Sequence, residues 1–217
     1  LAVLTLAQGG SLLHAPDIYM EKIAIGPGYE ADLVSLDKTP AENLQSLAEA
    51  KGTTVNDLTV CILDRARHSK LIEEVRSAGA AVNLIGDGDI AGVIQTTDPD
   101  ETGIDMYMGV GGAPEGVLAA SALRSIGGQM QGRLTPLHES HYERAAKVGI
   151  TDLSKIYSID DMVKGDVIFA ATGVTSGTLL DGVRLDADVI ETETLIMHVG
   201  SGTVRWVKNQ NQVRTNS

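Results

Sequence analysis

The 217-residue chain is 43% hydrophobic and only 3% aromatic, and it carries a formal charge of −12. That charge argues against nucleic acid or an anionic membrane surface as the main partner, while a local cluster of arginines and a metal would still suit a phosphorylated small molecule. The single cysteine, Cys61, excludes an intramolecular disulfide and fits a reducing, cytoplasmic compartment.

Cys61 lies in an apolar run and reads as a buried structural thiol. No apolar run reaches the ~20 residues of a membrane span, and there is no signal-peptide pattern. Leu1–Ala7 is apolar and reads as a buried strand. Domains seldom begin in mid-strand, so a further segment is expected on its N-terminal side. Gln8-Gly9-Gly10 reads as a turn and Ser11–His14 as a short strand, giving a hairpin over 1–14. The stretch from Ala15 to Pro27 is bounded by prolines and reads as extended. Ile18, Met20 and Lys22 fall on one face of it, with Tyr19, Glu21 and Ile23 on the other. Asp17, Tyr19 and Lys22 are candidates to touch a polar ligand; a solvated edge strand accounts for the charges equally well.

Thr39 is placed to cap a helix with Pro40 at its first position, Leu44, Leu47 and Ala48 as its apolar stripe and Gly52 as its stop. Val60–Leu63 reads as a buried strand. A helix over Ser69–Ala78 follows, with Leu71, Ile72 and Val75 inward, then a strand at Ala81–Ile85 and a helix running to about Ile94. A strand over 104–108, a glycine-rich turn and a helix over 114–126 make a third unit. This alternation predicts an α/β fold with a mostly parallel sheet, in which ligands collect at the carboxyl ends of the strands. Beyond it come a helix at Glu139–Val148, a helical turn at Asp160–Gly165, a strand at Val167–Thr175 and a β-hairpin from Leu185 to Val207 that finishes the sheet. Residues 1–208 are expected to form one α/β unit, and 209–217 a frayed polar tail.

Three polar clusters fall at those strand ends. Gly109-Val110-Gly111-Gly112-Ala113-Pro114-Glu115-Gly116 lets the backbone approach a ligand, and the helix behind it aims unpaired N–H groups at an anion. Glu115 would repel that anion unless a divalent cation bridged them; as a plain first-turn acid it would merely suit the helix dipole. A dinucleotide fingerprint would want an acidic residue about 20 positions further on, and none is there. Arg65 and Arg67 beside His68 present donor forks matched to phosphate oxygens, although cations at a helix start oppose the dipole. Asp87-Gly88-Asp89 suits sugar hydroxyls or a cation, or caps the next helix. His14, His138, His141 and His198 lack ligand spacing, and no catalytic nucleophile is visible. Together these clusters suggest a metal-dependent site for a sugar bisphosphate.

Ala15–Lys22, Asp87–Asp89, Gly109–Gly116 and Ala171-Thr172-Gly173-Val174-Thr175 together resemble the bacterial class II fructose-1,6-bisphosphatases, in the same order over essentially the whole chain. The resemblance implies the layered α/β/α fold of the lithium-sensitive, metal-dependent phosphatases, with Glu115 a ligand of Mn²⁺ or Mg²⁺. It implies substrate contacts from Tyr19, Arg65, Ala66, Arg67, Asp87, Gly88, Asp89 and Gly112. It also implies hydrolysis of fructose 1,6-bisphosphate to fructose 6-phosphate in gluconeogenesis. A dual enzyme that also takes sedoheptulose 1,7-bisphosphate and a non-catalytic sugar-phosphate module are the alternatives. Family members often carry Pro where this chain has Ala66. Their N-terminal Asp-Pro-(Ile/Leu)-(Glu/Asp)-Gly-Thr motif, which supplies most metal ligands, is not in this sequence, so the chain resembles the C-terminal two-thirds of the enzyme. Expected partners are the sugar bisphosphate, the N-terminal segment and further copies of the chain in a homo-oligomer.

Overall fold

The computed structural model, which describes residues 1–186 and 188–212, divides its strands between two sheets. In chain order the elements are β1 (Ala2–Ala7), β2 (Tyr19–Ile25), α1 (Pro40–Lys51), β3 (Thr59–Leu63), α2 (Ser69–Ser77), β4 (Ala81–Ile85), α3 (Asp89–Gln95), α4 (Pro99–Thr102), β5 (Met106–Gly112) and α5 (Ala113–Ile126). They continue with β6 (Gln129–Thr135), α6 (Glu139–Lys147), β7 (Ile156–Ser158), α7 (Ile159–Met162), β8 (Val167–Thr172), β9 (Arg184–Asp186), β10 (Val189–His198) and β11 (Thr203–Gln212).

The first sheet has the order β4-β3-β5-β2-β6-β7. β4, β3 and β5 run parallel. β2 is antiparallel to both β5 and β6, and β7 is antiparallel to β6. The sheet is thus mixed, not mostly parallel. The crossover through α5 does leave β5 and β6 pointing the same way, as a helical connection requires. Local periodicity does not report which distant strand enters the gap between them, and β2 fills it. β2 is accordingly a central strand and not a solvated edge: Met20 and Ala24 are buried on one face, Ile23 and Ile25 on the other.

The second sheet, β1-β8-β10-β11 with β9 beside β10, is antiparallel throughout. The expected 1–14 hairpin is absent: β1 pairs with β8, and Leu12 bridges to Val163. β1 is also not fully buried, because Val3, Thr5 and Ala7 turn inward while Leu4 and Leu6 are 49% and 61% exposed. β8 and the β10–β11 hairpin build this sheet instead of finishing the first. β11 carries 209–212 into register with Val189–Thr192, since ladder hydrogen bonds hold a polar strand as well as an apolar one; residues 213–217 lie outside the described residues.

α5 lies between the two sheets. Its buried side chains are mostly small, including Ala113, Ala119, Ala120 and Ala122, and a helix apolar nearly all round is the kind that sits in a core. Gly116 permits its approach to β2: a Cβ there would fall 2.6 Å from the Met20 sulfur. α1 and α2 cover the other face of the first sheet, where Leu44, Leu47 and Val75 pack on Val60, Ile62, Met106 and Met108. α1 opens with the full capping box, Thr39 accepting from the Glu42 N–H while Glu42 accepts from the Thr39 N–H. Cys61 is fully buried on β3, and burial pushes its thiol pKa up to about 12.

Candidate active site

β5 leaves β3 after Tyr107, so the backbone groups of Val110 on that side have no strand to pair with. Consecutive residues after β3 satisfy them. His68 Nε2 accepts from the Val110 N–H at 2.8 Å, and Arg67 donates to the Val110 carbonyl through Nε (2.9 Å) and Nη2 (2.8 Å). His68 Nδ1 lies 2.8 Å from the Leu63 carbonyl, so the ring is neutral with its proton on Nδ1. Burial, foremost, lowers the His68 pKa and favours that neutral form. The Arg67 guanidinium lies 5.1 Å above the Tyr19 ring centroid, a cation–π contact. Arg65 sits on the other side of the turn, with Nη2 3.8 Å from Asp87.

The glycine-rich stretch is not a loop. β5 runs through Gly112, with Gly109–Gly112 paired against Tyr19–Lys22, and α5 starts at the next residue. A Cβ at Gly111 would fall 2.3 Å from Asp89 Oδ2, and one at Gly112 would fall 2.0 Å from Glu115 Oε2. The glycines therefore make room for two carboxylates. Neither carboxylate of Asp87-Gly88-Asp89 caps α3. The cap is Gly88, at φ 86°, and Asp89 is the first helical residue, ion-paired with Lys22.

Tyr19, Arg65, Arg67, Asp87, Gly88, Asp89, Gly112 and Glu115 all line one cavity of 350 Å³, which Val3 of β1 and the preceding Leu1 help to wall. Ala66 is exposed in the turn between the two arginines and is not part of the lining. Asp17 pairs with Arg144 and is likewise outside it. Lys22, read from the sequence as a possible ligand contact, is 1% exposed and serves the protein interior. Its signal was present: a lone lysine between Met20 and Ala24 in a strand of buried residues requires a buried acceptor. The structural role of His68 had no comparable signal.

Glu115 is exposed in the first turn of α5 and faces the cavity. The helix end itself offers little to an anion, because the Ala113 N–H donates to the Ile18 carbonyl and Pro114 has no N–H. A cation held by Glu115 would supply the missing positive charge. Glu115 suits one ligand position; among the described residues no group of three or more His, Cys, Asp or Glu is arranged to hold a metal ion. No helix is long and apolar enough to cross a membrane, among the described residues.

A family model described as bacterial fructose-1,6-bisphosphatase, glpX-encoded, matches residues 1–211. The chain belongs to this family. Curated relatives named D-fructose 1,6-bisphosphatase class 2/sedoheptulose 1,7-bisphosphatase include that of Synechococcus sp. (strain JA-3-3Ab), 43% identical over 95% of this chain and 63% of the relative. Those of Prochlorococcus marinus (strain NATL1A) and Synechocystis sp. (strain ATCC 27184 / PCC 6803 / Kazusa) are 38% and 39% identical over 95% of this chain, and over 65% and 63% of their own lengths. The chain thus spans a little under two-thirds of the curated relatives it matches.

Proposed function

We propose that the protein hydrolyses the 1-phosphate of fructose 1,6-bisphosphate, as a cytoplasmic, homo-oligomeric enzyme of gluconeogenesis, and that this chain supplies the groups that grip the substrate together with one metal ligand. The observation that carries the reading is the convergence on one cavity of a cationic wall (Arg65, Arg67), carboxylates (Asp87, Asp89) and a separate carboxylate at a helix start (Glu115). A sugar bisphosphate matches that spacing of chemistries. Arg65 and Arg67 hold the phosphate remote from the reaction, with Tyr19 steadying Arg67 by its ring face. Asp87, 97% exposed, accepts from sugar hydroxyls, while the free oxygen of Asp89 does the same beside the Gly112 backbone.

Glu115 would hold Mn²⁺ or Mg²⁺, which when bound neutralises phosphoryl charge and activates water. The chain's own part is to orient: Arg67 fixes one end of the substrate, and the rigid start of α5 fixes Glu115 at the other. The names of the relatives favour a second substrate, sedoheptulose 1,7-bisphosphate, for the same site.

The test is phosphate release from each bisphosphate by the full-length protein with Mn²⁺ or Mg²⁺, beside its Glu115→Gln variant. Metal-dependent release that the variant loses supports the reading. Saturable binding of the sugar phosphate without any release would instead make the protein a non-catalytic sugar-phosphate module.

A further inference from the structure

The glycines at 111 and 116 serve a purpose that phosphate binding does not require. The Lys22 side chain passes beneath the start of α5, where a Cβ at Gly116 would lie 3.4 Å from Lys22 Cδ and one at Gly111 would lie 3.1 Å from its Nζ. The ammonium ends between two helix starts. It donates to Asp89, the first residue of α3, and at 2.9 Å to the carbonyl of Gly112, the residue that caps α5. Its residue is 1% exposed, and the charges around it are Asp89, Glu115 and Arg67. Burying an ammonium costs several kcal/mol before pairing, so an apolar pair would fill this slot more cheaply. A charge kept there at such cost needs a task.

Resting on the function proposed above, we propose that Lys22 is a positioning residue: its buried ammonium ties the Gly112 carbonyl to Asp89 and so sets the distance between the two helix starts that face the bisphosphate. Asp89 brings the sugar-contacting turn and Gly112 brings Glu115. Lys22 touches neither substrate nor metal; it holds the parts that do. Of its donors, the one to Asp89 balances charge, and the one to Gly112 fixes geometry. The two roles separate by mutation, because Asp89→Asn removes the first and leaves the second.

The test compares the full-length wild-type protein with Asp89→Asn and with Lys22→Met/Asp89→Asn, in which no lone carboxylate is left buried. Two readouts are taken: affinity for fructose 1,6-bisphosphate by calorimetry without metal, and hydrogen exchange over 113–116, read at the amides of Ala113, Glu115 and Gly116. The double variant is expected to bind about tenfold more weakly than Asp89→Asn, the loss of one hydrogen bond from a charged donor, and to exchange faster at 113–116. Equal affinity and equal exchange in the two variants would overturn the proposal, leaving Lys22 as a charge balance for Asp89. Should the wild type bind no bisphosphate, the functional reading fails, and the exchange comparison still decides the role of Lys22. Should the double variant not fold, Gly111→Ala displaces the same pair with every charge retained, and unchanged exchange at 113–116 would overturn the proposal there.

Discussion

Beneath the cavity at the first sheet, two polar side chains are buried and individually committed: Lys22 to Asp89 and Gly112, His68 to Leu63 and Val110. The second sheet uses the same residue types at the exposed β10–β11 turn. There His198 lies 3.1 Å from Asp166 and 2.8 Å from Ser201, and Asp166 also accepts from the Gly200 N–H. Composition does not separate the two clusters; solvent does. Water screens the exposed chain and substitutes for any member removed from it, whereas a buried group that loses its partner has nothing to replace it. The first sheet carries its polar groups where they hold a cavity together, and the second carries them where they finish a turn.

The comparison can be broken at four points, in falling order of effect. In the full-length protein, Glu115→Gln should cut metal-dependent phosphate release about 10²-fold or more while leaving thermal unfolding unchanged, since the side chain is exposed. Near-normal turnover would return Glu115 to the bland role of a helix-start acid. Next, Lys22→Met alone strands Asp89 in the interior and should lower stability to denaturant by about 3–5 kcal/mol. In the second sheet, Asp166→Asn should shift the same unfolding curve barely at all; equal losses would erase the distinction between the sheets.

Gly112→Ala tests the third point. The nearest atoms its methyl would meet belong to the flexible end of Glu115, so the carboxylate swings aside. Turnover should fall with little change in unfolding, and a matched loss of both would mean that the backbone had moved instead. The smallest effect is the pH dependence of His68. Its folded pKa lies below the usual 6.5, so the unfolded chain takes up the proton first, and stability declines as pH falls from about 6.5 towards the folded value. Unfolding curves for wild type and His68→Gln across that window should differ in slope, the wild type being the steeper; parallel slopes would contradict the neutral ring.

Much of the first sheet was legible because it obeys local rules. Thr39, Pro40, Glu42 and Gly52 bracket α1 as capping chemistry requires, and the β3–α2–β4 alternation announces a parallel pair. The site was legible for a related reason: polar residues at the carboxyl ends of such strands share one edge, which is why Arg67, Asp87 and Glu115 meet. What stayed hidden was non-local. Nothing near Tyr19–Ile25 reports that its neighbours are β5 and β6. β6 itself escaped notice because its inward positions are Met130, Gly132 and Leu134, and glycine among glutamines does not read as a strand. The separate second sheet was invisible for the same reason, since β1 meets its partner β8 only after the whole first sheet is built. Ala66 shows the converse limit: adjacency in a motif does not place a residue in the cavity.

The most direct measurement of the central claim is a calorimetric titration of the full-length wild-type protein and its Arg67→Ala variant with fructose 1,6-bisphosphate and, separately, fructose 6-phosphate. If the cavity at the ends of β3, β4 and β5 is the bisphosphate site, the wild type binds the bisphosphate saturably, and Arg67→Ala weakens it about tenfold or more, the contribution of a charge-assisted phosphate contact. Identical affinity in the two proteins, or no binding by the wild type, would contradict it.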